Sequence, residues 1–187
     1  MQIVVTLRDR SLADYANRLE KLAAGSGRAM LAQALNQAGH AMRQATVSAE
    51  TAQTGLKLAT IDRAQQEIVA SPGRLAYTIS SHGGNVREKF FGAQETGSGV
   101  TAHPWNRSQF TQGGFIKAGG FGGPRVDLPW GGEVKKRKGS ARLSISTVRS
   151  GLYIPTEMVK GQTASAYHAG AEVAVAAIVS RLGALLP

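Results

Sequence analysis

The sequence predicts an α+β fold: a long N-terminal helix and a C-terminal helix packed on a small, mainly antiparallel sheet, with a long glycine-rich arm. Three observations carry this reading. Apolar residues recur at helical spacing near both ends of the 187-residue chain, short alternating runs fall between them, and 12 of the 48 residues at 92–139 are glycine. The length suits a single domain spanning 1–187, with 92–139 as an arm or insertion within it.

Residues 2–7 read as a short strand, because Ile3, Val4, Val5 and Leu7 supply β-branched and apolar bulk. Ser11 suits a helix N-cap, and Leu12, Tyr15, Leu19 and Leu22 follow at helical spacing. Gly25-Ser26-Gly27 marks a break or bend, after which Met30, Ala34, Leu35, Ala38, Ala41, Met42 and Ala45 resume the pattern. Thr54 is placed to cap a second helix reaching Ala70, stopped by Ser71-Pro72-Gly73. Alternation at 74–81, 86–91 and 142–149 gives three strand candidates. The last helix is expected from Thr163 to Leu185, with Tyr167, Val175, Ile178 and Leu182 on its buried face. Together with Leu12, Tyr15, Leu19 and Leu35 these form the expected core.

The glycine-rich stretch has no sustained apolar period, yet Trp105, Phe110, Phe115, Phe121 and Trp130 are scattered through it. Linkers usually lack such anchors, so the stretch is expected to become ordered on a partner, with the five aromatics as interface anchors.

The chain carries 22 basic and 12 acidic residues, a formal net charge of +10. The last third, 133–187, holds 8 basic against 3 acidic residues, hence +5. The densest feature is Lys135-Lys136-Arg137-Lys138, and Arg142 and Arg149 follow. Such a run suits a polyanion held without base reading, an acidic partner surface, or a solvated turn. Without cysteine there is neither a disulfide nor a thiolate metal site. His40, His82, His103 and His168 fall in no metal-binding spacing, serines occupy no nucleophile elbow, and Gly119-Gly120-Phe121-Gly122-Gly123 lacks the lysine and hydroxyl of a nucleotide loop. The expectation is therefore a non-enzymatic protein without catalytic residues, metal or cofactor. The N-terminus does not read as a signal peptide, and the apolar C-terminal stretch is broken by His168, Glu172 and Arg181, so no membrane partner is expected.

Gly151-Leu152-Tyr153-Ile154-Pro155-Thr156-Glu157-Met158-Val159-Lys160-Gly161, flanked by a basic strand at 142–149 and a final helix, resembles the end of the minor tail protein Z family of tailed phages and prophages, the tail completion proteins. The alanine-rich N-terminal plan and the basic run at Lys135–Lys138 are also similar in layout, whereas the glycine-rich stretch departs from the family pattern. The resemblance implies a ring, homo-hexameric as long tails are sixfold, at the head-proximal end of a phage tail or neck. It implies tail terminator, tail tube or head–tail connector proteins as partners, and non-specific contact with DNA in the lumen. The implied location is the virion, with the host cytoplasm during assembly. A non-specific DNA-binding protein of a mobile element, or another connector protein, are the competing readings.

Overall fold

The computed structural model describes residues 20, 25–119, 124–139 and 144–183. The expected strand at 2–7, the core positions Leu12, Tyr15 and Leu19, and Phe121 and Arg142 lie outside them, as does the side chain of Leu182.

The fold is α+β, with a long helix towards each end and several small antiparallel sheets, none closed into a barrel. Helix α1 (Gly25–Thr54) and the short α2 (Leu58–Ala64) lead into β1 (Gln65–Ile68), β2 (Thr78–Ser81) and β3 (Asn85–Arg87). A 3-10 turn at Glu88–Phe91 follows. The glycine-rich stretch then forms β4 (Gln94–Glu95), β5 (Gly99–Ala102), β6 (Gln109–Gln112), β7 (Gly114–Phe115), β8 (Lys117–Ala118), β9 (Val126–Asp127) and β10 (Lys135–Arg137). β11 (Ile145–Thr147), β12 (Arg149–Tyr153), α3 (Ile154–Met158) and α4 (Gly161–Gly183) complete the described chain. The sheets have the orders β1-β2, β11-β10-β7, β12-β3, β4-β5-β6 and β8-β9.

The chain divides into two compact units. One takes the chain up to Ala45, Glu67–Ile79 and the part from Tyr167 onward. Its interior is made of small residues on α1, with Ala32, Ala34, Gly39 and Met42 buried and Ala70 beside them in burial. Asn36 ties this helix to the turn after β1: its amide donates to the Ala70 carbonyl at 2.9 Å and accepts from the Ala70 N–H at 2.6 Å. Leu35 is only half-buried.

The other unit takes Thr46–Gln66 and Ser80–Ala166. Val47, Leu56, Ile61, Phe91, Ala102, Leu152 and Ile154 form one apolar cluster there, with Val86 and Trp105 packed against it. α1 ends where Gly55 enters the left-handed region at φ 75°, a conformation glycine adopts without a Cβ penalty. The Gly55 N–H donates to Thr51, and the Asn106 amide donates to the orphan Ala52 carbonyl at 2.8 Å.

Several expectations are corrected. Thr54 caps no helix reaching Ala70. It closes α1, its hydroxyl donating to the Glu50 carbonyl at 2.6 Å, and the chain turns extended at Lys57 and again at Gln65, which opens β1. The strand expected at 86–91 stops at Arg87 and coils into the 3-10 turn. The strand expected at 142–149 appears as β11 and β12. The glycine-rich stretch has paired strands of its own and sends Val100, Ala102 and Val134 into the interior. Close packing demands a glycine at Gly99, whose absent Cβ would overlap the backbone carbonyl oxygen of Thr111 across the β5–β6 pair.

The buried face of α4 is rotated from expectation. Tyr167 and Val175 stand exposed at 38% and 60%, and Ile178 is half-buried. The small residues Gly170 and Ala174 lie on the less exposed side, with Met42 of α1 directly against Gly170. A side built of glycine and alanine permits close helix approach, so it wins the contact over a bulkier valine side.

Candidate functional site

The basic run occupies β10, the middle strand of its sheet. In register, Lys135 stands opposite Phe115 on one side and Thr147 on the other, and Arg137 stands opposite Ile145. Side chains alternate along a strand, so Lys135 and Arg137 share one face and Lys136 points to the other. The four cations therefore do not form one continuous contact.

The Lys135 face is organised around Glu133. Gly131 and Gly132, at φ 59° and 72°, turn the chain back after Trp130, and the Glu133 N–H donates to the Trp130 carbonyl. Glu133 then receives Lys135 Nζ at 2.7 Å, the Thr147 hydroxyl at 3.3 Å, the Arg87 guanidinium, and Lys89 Nζ at 3.8 Å. The Lys135 hydrogen bond, and the charges of Lys135, Arg87 and Lys89, hold its carboxyl below the usual range against the opposing effect of burial. Two of these cations, and Arg137 on the same side of β10, also lie near aromatic rings: Lys135 Nζ is 5.1 Å from the Trp130 centroid, Lys89 Nζ 5.3 Å from Phe90, and the Arg137 guanidinium 5.7 Å from Phe115.

Of the residues expected at a polyanion contact, Lys135 and Arg137 belong to this face and Lys136 does not. Lys138 is exposed, its backbone N–H tied to Ser144. Arg149 is exposed, donates to the Asn85 carbonyl at 2.8 Å, and stands across from Arg87 in the β12–β3 pair. Of the expected interface anchors, Trp130 and Phe115 are in the face. Phe110 is exposed at 51%, and Trp105 packs instead on the apolar cluster.

Arg87, Lys89 and Glu133 were missed by the sequence reading. Their only signal was a cation on each side of Glu88, far from Glu133 in sequence.

Two further polar clusters escaped it. In the larger unit Glu50 is fully buried, accepts from Gln65 Nε2 at 2.6 Å, and leaves Oε1 without a donor among the described residues. Burial pushes its carboxyl up to about 7, opposed by the Gln65 hydrogen bond and assisted by the charge of Glu157. Gln53 joins this region to α4, its amide donating to Glu157 at 2.9 Å and accepting from the Thr163 N–H at 3.1 Å. In the smaller unit Glu67 accepts from Tyr77 and lies 3.2 Å from His40 Nδ1 and 3.9 Å from Arg43. Burial and then the Glu67 hydrogen bond push the Tyr77 hydroxyl well up, so it is a donor rather than a ready base or nucleophile. A surface hollow at Ala93–Gly97 has its acid committed, since Glu95 receives the Ile116 and Lys117 N–H groups and Arg125.

Among the described residues no three His, Asp or Glu side chains are grouped to hold a metal, and no helix is long and apolar enough to cross a membrane. No family model, curated protein or solved structure matches the chain.

Proposed function

We propose that the protein is a non-enzymatic structural subunit of a phage tail or neck, forming a homo-hexameric ring at the head-proximal end that supports tail completion and head–tail joining. The observation that carries this reading is the C-terminal run. Strand β12 passes through Pro155 in the first turn of α3 into α4, the order of parts that the resemblance to tail completion proteins implies. α4 then exposes Val173, Val175 and Val179. A helix apolar on several sides is stable in water chiefly when something covers it, and a neighbouring subunit is the cover this reading supplies. In the virion its neighbours are the tail terminator, the tail tube or the connector. The test is to purify tails and locate the tagged protein by electron microscopy. A ring at the head-proximal end is expected; absence from purified particles overturns the reading.

A second reading, a non-specific DNA-binding protein of a mobile element, is favoured by the convergence of Arg87, Lys89 and Lys135 on one carboxylate. Salt-dependent retention on DNA by a chain absent from particles would select it.

A further inference from the structure

The face around Glu133 carries more positive charge than its own acid neutralises. Arg87 from β3, Lys89 from the following turn and Lys135 from β10 converge on a single carboxylate. Arg149 stands across the strand pair from Arg87, a like-charge arrangement that is unfavourable unless an anion relieves it. Glu133 is the only acid of the described residues paired with these cations, and its side chain is 11% exposed.

The rings decide what kind of anion fits. Trp130 and Phe90 are exposed beside Lys135 and Lys89, and Phe115 is half-buried beside Arg137. An acidic protein patch would need the cations alone. Cations interleaved with open aromatic surface match a strand that brings a phosphate and a flat base at each step.

We propose that the face built by Arg87, Lys89, Lys135 and Arg137, with Trp130, Phe90 and Phe115, binds the phosphodiester backbone of nucleic acid, and that Glu133 sits inside it as an internal counter-anion that limits affinity. A phosphate entering the face competes with the Glu133 carboxylate for the same N–H donors, so binding is kept weak and reversible. The inference rests on the polyanion-contact part of the second reading and is independent of any ring.

The experiment uses the full chain and a fluorescent single strand of about 20 nucleotides, longer than a typical site of ~4–16, with the same sequence as a duplex in parallel. Anisotropy is followed across a salt series. The parent is expected to bind with an affinity that falls as salt rises. Glu133→Gln, which keeps an acceptor but removes the charge, is expected to tighten binding by roughly three- to tenfold, the effect of a lost competing charge on the order of 1 kcal/mol. Loss of a merely structural anchor would not tighten it. The double variant Lys89→Gln/Arg137→Gln is expected to weaken binding and to flatten the salt slope by about 1–2, at ~0.7–0.9 per phosphate contact. Lys136→Gln on the opposite side of β10 should leave most of that slope intact.

Preference for the single strand supports the role of the rings, and binding to the duplex alone overturns it. The proposal as a whole is overturned if Glu133→Gln, with an unchanged circular dichroism spectrum, binds no tighter. It is equally overturned if Lys136→Gln alone removes the salt slope, or if polyglutamate displaces the strand as well as a second oligonucleotide does. These measurements need no particle, so failure to find the protein in tails leaves them standing.

Discussion

α1 and α4 are both long, alanine-rich helices, yet their surroundings treat them differently. α1 is gripped at intervals by groups that cannot easily move. The Tyr77 ring lies on Gly39, Asn36 is paired twice to the Ala70 backbone, and Glu50 is held by Gln65. From Thr46 to its end it also contributes Val47 to the apolar cluster and buries Thr46, Glu50 and Thr54. α4 is fixed at its first turn by Gln53 and touches Met42 through Gly170, but its valines face outward. Alanine content says that a helix forms. The residues that accept its close contacts, and whether they are rigid or pliant, decide how firmly it is held.

The largest effect is expected at Gly39. A Cβ there would overlap three atoms of the Tyr77 ring, the nearest contacts being with the ring's core rather than with a flexible tip. The ring would have to shift as a body, and its hydrogen bond to Glu67 would go with it. Gly39→Ala should destabilise by about 1–3 kcal/mol, the usual cost of overpacking, even though alanine favours the helix. The matched change on α4, Gly170→Ala, meets Met42 Cγ at 2.9 Å. Methionine is unbranched and adaptable, so the net change should stay within about 1 kcal/mol. Chemical denaturation of both variants checks the pair. Equal costs would erase the distinction between a rigid and a pliant neighbour.

Next comes the pH dependence that Glu50 imposes. Its carboxyl is raised from an ordinary value of 4.5 to about 7 in the folded chain. The folded state therefore binds the proton more tightly than the unfolded one. The resulting stability is fully present below about 4.5 and is lost as pH rises towards 7. Glu88, raised by burial, adds to the same trend. Glu67 and Glu133 are lowered, so they oppose it only at more acidic pH, where their contribution is lost as pH falls. Stability should drop by roughly 2–3 kcal/mol between pH 4.5 and 7. Glu50→Gln should remove most of that slope and be more stable than the parent above pH 7. Urea melts at several pH values decide it, and a parent whose stability is flat or rising across the window contradicts the buried acid.

The fold class was legible because periodicity survives in single segments: the spacing from Met30 to Ala45 and from Ala164 to Ile178 needs no partner to be seen. What was not legible depends on distant pairing. Gln65 falls inside the helix expected to reach Ala70, yet it opens β1 and its amide bonds Glu50 across a turn, a pairing that no local pattern records. Val100 and Ala102 lie in a glycine-rich run with no sustained apolar period, yet their alternation in β5 buries both. On α4 the expected face followed the largest side chains, whereas the observed contact uses Gly170. The basic run was conspicuous, but its division between two faces follows from the register of β10 and from Glu133, which meets Arg87 and Lys89 only in three dimensions.

The smallest effect on stability, and the sharpest on assembly, is expected from the outward side of α4. Val175 and Val179 are 60% and 59% exposed and lie one turn apart, so they form a continuous apolar strip. A residue that already faces water contributes little to folding. Val175→Ser/Val179→Ser should therefore change the stability of the dilute chain by no more than about 0.5 kcal/mol per site. If the strip meets a neighbouring subunit, each valine is buried only on assembly, and its removal weakens association alone. Native mass spectrometry of the parent and the variant, across a range of concentrations, reads the oligomer directly. The expected result is an unchanged melt with a shift towards smaller species. A variant that melts earlier at low concentration would mean that the strip packs within its own chain. α4 would then be held as firmly as α1, and the contrast between the two helices would fall.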